Sequence, residues 1–137
     1  RPHCPAVLPR HPGYLYVRPQ MKLIEVRTYK LKPGSAERFM AAFQEALPLV
    51  WESGMDVVAF GRSDHEQESF YLIRAYDSRA QLEAQQGAFY SSDAWRQGPR
   101  EPLIACLDDY LNTLLWLSDQ SVEDLRFNNG LGKPPVA

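Results

Sequence analysis

The chain has 137 residues, 45% of them hydrophobic and 23% charged, with a formal net charge of −2 at pH 7. That suits one globular domain with a core of its own and is short for two. No run approaches the roughly 18 apolar residues of a membrane helix, and the near-neutral balance lacks the basic stripe of a nucleic-acid binder, so neither membrane nor nucleic acid is an expected partner.

The first twenty residues carry five of the eleven prolines, together with Arg1, Arg10 and Arg18 and no acid. Prolines at that density break any helix, and the segment has no apolar run long enough for a secretion signal and no serine for a transit peptide. Residues 1–20 therefore read as an extended Pro/Arg-rich tail, and Met21, directly before the first strong strand, as the start of the domain. With no targeting segment identified, the expected location is cytoplasmic. Residues 21–118 hold ten basic and fourteen acidic side chains.

Lys22 to Leu31 alternates and is rich in β-formers, which predicts a strand ended by Lys32-Pro33-Gly34. Ser35 is a candidate N-cap, with Glu37 in the first turn of a helix. Phe39, Met40, Phe43, Leu47 and Val50 give that helix one apolar face to about Glu52, with Pro48 expected to kink its last turn and Gly54 to stop it. Met55 to Ser63 and Ser69 to Asp77 read as a hairpin around the polar loop 64–68. Ser78 to Gln81 has the form of a capping box and opens a second helix through Leu82 and Phe89. A short helical piece follows at Ser92 to Arg96, and Leu103 to Leu107 leads into a last strand over about Asp108 to Leu117. Residues 119–137 read as a C-terminal arm or tail that Val122, Leu125 and Phe127 would dock. The order β-α-β-β-α-β predicts an α+β ferredoxin-like fold, a four-stranded antiparallel sheet with two helices on one face.

Strand parity divides the sheet into two unlike faces. Ile24, Val26, Tyr71, Ile73, Ala75, Leu111 and Leu115 form an apolar set, which predicts the helix-covered face. The other parity holds Glu25, Arg27, Tyr29, Arg74, Tyr76, Tyr110, Asn112 and Trp116. Large aromatics make a poor surface patch, and unpaired charges make a poor core. Packing two such sheets face to face in a homodimer would resolve the conflict, as a barrel around a cavity for a small apolar or aromatic ligand. Alternatively, Glu25, Arg27 and Arg74 pair across strands and leave no cavity. Strand two presents either Val58, Phe60 and Arg62 or the alternate set.

Ile24-Glu25-Val26-Arg27-Thr28-Tyr29-Lys30-Leu31-Lys32-Pro33-Gly34 resembles the opening strand motif of NIPSNAP-domain proteins, and Asp93-Ala94-Trp95-Arg96-Gln97-Gly98-Pro99-Arg100 resembles the motif that follows their second helix. The resemblance spans about Met21 to Leu117 and neither tail. It implies a dimeric α/β barrel and no settled activity, of the single-domain bacterial type. Matched position by position, Glu25, Arg27 and Tyr29 become the candidate catalytic residues. Strand parity supplies Arg74, Tyr76, Tyr110, Asn112 and Trp116 as candidate ligand-binding residues, and the second motif adds Arg100. Trp95, Arg96, Gly98 and Pro99 form a structural motif in which Trp95 anchors, Gly98 allows a tight bend, and Arg96 or Arg100 bonds carbonyls or Glu25. Arg100 has a second reading as the positive end of the cavity.

His65 is the domain's lone histidine, and its acidic loop, Asp64 to Glu68, makes weak ligand geometry, so no metal is expected. Cys4 and Cys106 are too few for a disulfide scaffold, and Cys106 reads as a small buried hydrophobe. With no nucleotide fingerprint and no Ser/His/Asp or Cys/His constellation, no cofactor is expected. Two functions from different classes follow. One is a homodimeric small-molecule-binding barrel acting as a cofactor-independent oxygenase or isomerase on a carbon acid or aromatic compound. The other is a non-enzymatic dimeric interaction or scaffold protein.

Overall fold

The computed structural model describes residues 20–130. Residues 1–19 of the Pro/Arg-rich tail and residues 131–137 lie outside the described residues. The β-rich run after Gln20 forms β1 (Met21–Leu31), and Gly34, at φ +76°, turns the chain into α1 (Ala36–Glu52). Ser35 stands at the N-cap position without capping through its side chain; its hydroxyl donates to the Lys32 carbonyl at 2.6 Å instead. Glu68, from the far end of the hairpin loop, takes over the capping. Its carboxylate accepts the amide hydrogens of Gly34 at 2.6 Å and Ala36 at 2.9 Å, and those bonds hold its pKa below the ordinary carboxylate range. The α1 helix runs through Pro48 and stops at Gly54, where φ is +89°.

The hairpin follows as β2 (Asp56–Arg62) and β3 (Ser69–Tyr76), and Ser78 opens α2 (Arg79–Tyr90) by accepting the Gln81 amide at 3.1 Å. The short α3 (Asp93–Arg96) is capped in the same way by Ser92. A further helix, α4 (Arg100–Cys106), stands where the sequence suggested only a lead-in to the last strand. Pro102 falls in its first turn, where a missing amide hydrogen costs nothing, so proline punctuation hid a helix. The last strand, β4 (Leu107–Ser118), passes into α5 (Asp119–Asn128) through the Ser118 cap. The sheet is antiparallel with order β2-β3-β1-β4, the ferredoxin-like arrangement.

Both sheet faces are partly covered, and the assignment of faces from parity is reversed. Leu23, Leu31, Phe70 and Leu72 pack with Phe39, Phe43 and Leu47 of α1, Phe89 of α2 and Leu103 of α4. The parity that carries Glu25, Arg27, Tyr29 and Arg74 is therefore the helix-covered face. The apolar set lies on the opposite face, where, among the described residues, only α5 crosses it, setting Val122 and Leu125 against Ile24, Val58, Ala59 and Ala75. Arg126 anchors that helix through a two-pronged pair with Asp56 at 2.7 and 3.0 Å. Phe127, expected to dock, is 83% exposed.

The register of β2 could not be settled by alternation because a bulge lies between Val57 and Ala59. Val57 and Phe60 both pack toward the helices, while Val58 and Ala59 both pack toward α5. At the far edge of the sheet, β4 pairs only with β1. It leaves Leu111 72% exposed, with Tyr110, Leu114, Leu115 and Trp116 also in contact with solvent.

Candidate functional site

The two central strands bring unlike charges into register: Glu25 of β1 lies opposite Arg74 of β3, and Arg27 lies opposite Asn112 of β4. Glu25 is the hub and is fully buried. Its Oε1 accepts from Arg74 Nε at 2.8 Å, and its Oε2 accepts from Asn112 at 2.9 Å, Gln86 at 3.0 Å and Arg27 at 3.2 Å. Arg74 Nη2 also stands 2.7 Å from Oε1, but none of its hydrogens is aligned for a bond, so that edge of a buried guanidinium has proximity without an aligned acceptor. These donors fill the roughly four lone-pair positions of a carboxylate. Burial alone would raise the Glu25 carboxyl, but Arg74 and then Arg27 outweigh it and hold the group below the ordinary carboxylate range.

The guanidiniums are held as firmly as the acid. Arg27 donates from Nε to Asn112 at 2.8 Å and lies 4.8 Å from the centroid of the Tyr110 ring and 5.9 Å from that of Tyr29. Arg74 Nη1 donates to the Tyr90 hydroxyl at 2.9 Å and approaches the Met55 sulfur. Gln86 bridges Glu25 to the Tyr76 hydroxyl, each at 3.0 Å.

A cavity of about 440 Å³ lies between this layer and the helices. Arg27, Tyr29, Arg74, Gln86 and Tyr90 supply its polar wall. Phe39, Phe43, Leu72, Phe89, Trp95 and Leu103 supply the apolar one. Arg100 and Tyr110 stand at its rim, both substantially exposed. Burial pushes the Tyr29 phenol up to about 12, so it enters the cavity as a neutral hydroxyl. This combination of aromatic walls and a few fixed polar groups is the usual make-up of a small-molecule site.

Of the residues singled out from sequence, Arg27, Tyr29, Arg74, Tyr110, Arg100 and Trp95 line the cavity. Glu25 and Asn112 stand behind the arginines and bond them, and Tyr76 touches the network through Gln86. Trp116 is apart from the group, half-exposed on β4 opposite Leu23. In the second motif, Trp95 packs at 5.3 Å from both Phe89 and Tyr90. A Cβ on Gly98 would come 2.5 Å from the Ala94 carbonyl oxygen, so any side chain there would force the bend to shift. Arg100 pairs with Glu101 rather than with Glu25, and Arg96 is exposed. Among the described residues no cluster of three potential metal ligands occurs, and His65 bonds Ser63 in its loop, away from the cavity.

Gln86 and Tyr90 were missed in the sequence. Their signal was a glutamine four residues after Leu82 and three before Phe89, a polar side chain on an otherwise apolar helical stripe.

The motifs of β1 and of the α3 turn sit on this wall and at its mouth. The NIPSNAP family profile matches residues 24–105. Among solved structures, a NIPSNAP-domain protein from Burkholderia xenovorans aligns with TM-score 0.60 and 21% identity over 68% of this chain and 91% of its own. A NIPSNAP-family protein of unknown function from Agrobacterium tumefaciens aligns with TM-score 0.66 and 15% identity over 72% and 90%. A Bordetella bronchiseptica protein assigned by name as an antibiotic biosynthesis monooxygenase shares the fold at TM-score 0.56 and 19% identity over 73% and 98%. No curated protein matches the chain in sequence. On the extent of the profile match, over half the chain and both motifs, the protein belongs to the NIPSNAP family.

Proposed function

We propose that this NIPSNAP protein is a homodimeric binder of a small aromatic or apolar compound, held inside each protomer between sheet and helices. The observation that carries the reading is the cavity itself. A family member built only as a scaffold has no use for a 440 Å³ space walled by Arg27, Arg74 and a neutral Tyr29 phenol. The dimer rests on β4 and the sheet face beside it. A long apolar edge strand with Leu111 and Leu115 in water invites pairing, and a second copy of the same face would cover it. Because the polar layer faces the helices, such an interface would be apolar and the cavity would not be shared between protomers.

The chemistry this wall suits is proton handling at a carbon acid or phenol, as in cofactor-independent oxygenation or isomerisation. The neutral Tyr29 hydroxyl can donate to a developing oxyanion, and the arginines can stabilise its charge. Glu25, with its lone pairs filled, acts as a positioning residue for both guanidiniums rather than as a base. The likeness to an assigned monooxygenase supports this through fold only.

Native mass spectrometry of protein purified from its own host tests the reading. The expected result is a dimer mass with a bound small molecule that Arg27→Ala or Tyr29→Phe removes with little change in melting temperature. A bare protomer in every preparation would overturn it. The interaction-protein alternative predicts an empty dimer and a macromolecular partner instead.

A further inference from the structure

The charges beneath the cavity do not balance. Two buried or nearly buried guanidiniums, Arg27 and Arg74, share a single carboxylate, Glu25. Every other partner they have is neutral: the Asn112 amide, the Tyr90 hydroxyl and the Met55 thioether. The groups facing them from the neighbouring elements bring no second acid. Tyr76 comes from β3 and Tyr110 from β4, and the third cation, Arg100 of α4, already has Glu101. Glu25 itself cannot compensate further, since its oxygens are filled. An unbalanced positive charge out of water is costly. Arg74 is almost wholly buried and Arg27 nearly so, which leaves little water to screen that charge.

We infer that the cavity takes its ligand as a delocalised oxyanion, a planar phenolate or enolate, whose charge completes the Arg27–Glu25–Arg74 cluster. The aromatic walls accept the planar body, and Tyr29 and the guanidinium edges receive the oxygen. Binding a neutral phenol then releases its proton to solvent, and the bound compound is a stronger acid than the free one. This rests on the ligand-binding reading above and adds the ionisation state of the ligand.

The test uses 4-nitrophenol, whose neutral and anionic forms absorb at different wavelengths, and 4-nitroanisole, of similar shape but unable to ionise. The full-length protein should bind 4-nitrophenol as the anion. The pKa of the bound compound should be at least one unit below that of the free compound, a tenfold preference worth about 1.4 kcal/mol. Arg27→Gln, which leaves the buried Glu25–Arg74 pair in place, should bring the bound value back toward the free one. Binding of 4-nitroanisole equal to or tighter than that of 4-nitrophenol, or an unshifted bound pKa, would overturn the inference while leaving the cavity reading intact. Binding of neither compound would overturn both.

Discussion

Replacing Glu25 by Gln should show how strongly the fold depends on the buried charge cluster. The substitution keeps the shape and removes the charge from a site that is 1% exposed and receives four hydrogen bonds. It leaves Arg27 and Arg74 facing each other, and it turns an amide NH2 toward the amide donors of Gln86 and Asn112. Breaking a buried pair from one side costs about 3–5 kcal/mol, a large share of the ~5–15 kcal/mol that holds a domain folded. The melting temperature should fall by at least about 12 °C for a domain of this length. Urea unfolding at fixed protomer concentration measures the loss, provided the slope stays constant. The double variant Glu25→Leu, Arg74→Met should recover much of the loss, because an apolar pair removes both desolvation costs. Acid supplies a second readout. The folded-state pKa of Glu25 lies below its ordinary 4.5, so its contribution is present above pH 4.5 and is lost as pH falls through the folded value. The two stability curves should therefore converge in acid. A loss under about 1 kcal/mol for Glu25→Gln, against the ~3–5 expected, or strict additivity in the double variant, would refute the view that this carboxylate holds the arginines.

Other consequences follow from single contacts. Burial holds the Tyr29 phenol up to about 12 against an ordinary 10 and raises Tyr76 as well, so part of the tyrosine absorbance should titrate late. The stabilising contribution of Tyr29 is present below pH 10 and is lost as pH rises toward 12, and Tyr29→Phe should remove its share of both effects. Arg126→Met removes the anchor of α5 on Asp56 and should cost about 1–3 kcal/mol, with faster hydrogen exchange confined to Val122–Arg126; a uniform loss across the sheet would contradict that anchoring. Leu111→Lys with Leu115→Lys should convert the proposed dimer to protomers in sedimentation while leaving each protomer folded, and an unchanged mass would place the interface elsewhere. Gly98→Ala should cost about 1–3 kcal/mol, because its Cβ would press on the Ala94 carbonyl, and should loosen Trp95 at the cavity mouth, seen as a shift in tryptophan emission.

The four strands and the first three helices were legible because their local signals agreed with the tertiary packing, whereas α4 and α5 were not. The β1 alternation, the Phe39-Phe43-Leu47-Val50 stripe and the Ser78 cap each specified its own segment. What local signals missed was set at a distance. Glu68 caps α1 from more than thirty residues away, and no spacing rule connects them. The bulge at Val57/Ala59 hid the register of β2, since one extra residue shifts every later side chain to the other face.

The reversal of the two faces has a cause that bears on the site. Parity arguments give helices the more apolar face, on the premise that helix and sheet share one seamless core. Here α1 brings Phe39, Phe43, Leu47 and Val50, enough apolar surface to seal one half of the seam against Leu72 and Phe70. The short helices α2, α3 and α4 do not fill the space beside that stripe, and the cavity lies between them and Phe39, Phe43, Val50 and Leu72. Charged residues are tolerated on the covered face because Glu25 holds both guanidiniums by hydrogen bonds and the excess positive charge faces that unfilled space. On the apolar face α5 covers Ile24, Val58, Ala59 and Ala75, and Asn129 just beyond it accepts from the Tyr71 hydroxyl at 2.7 Å. Leu111 and the rest of the β4 edge stay exposed, and the proposed dimer would cover them. The polar cluster that argued for a shared barrel interior thus belongs to a cavity between sheet and helices of one chain, and the apolar stripe that argued for a helix layer becomes the surface on which the proposed dimer rests.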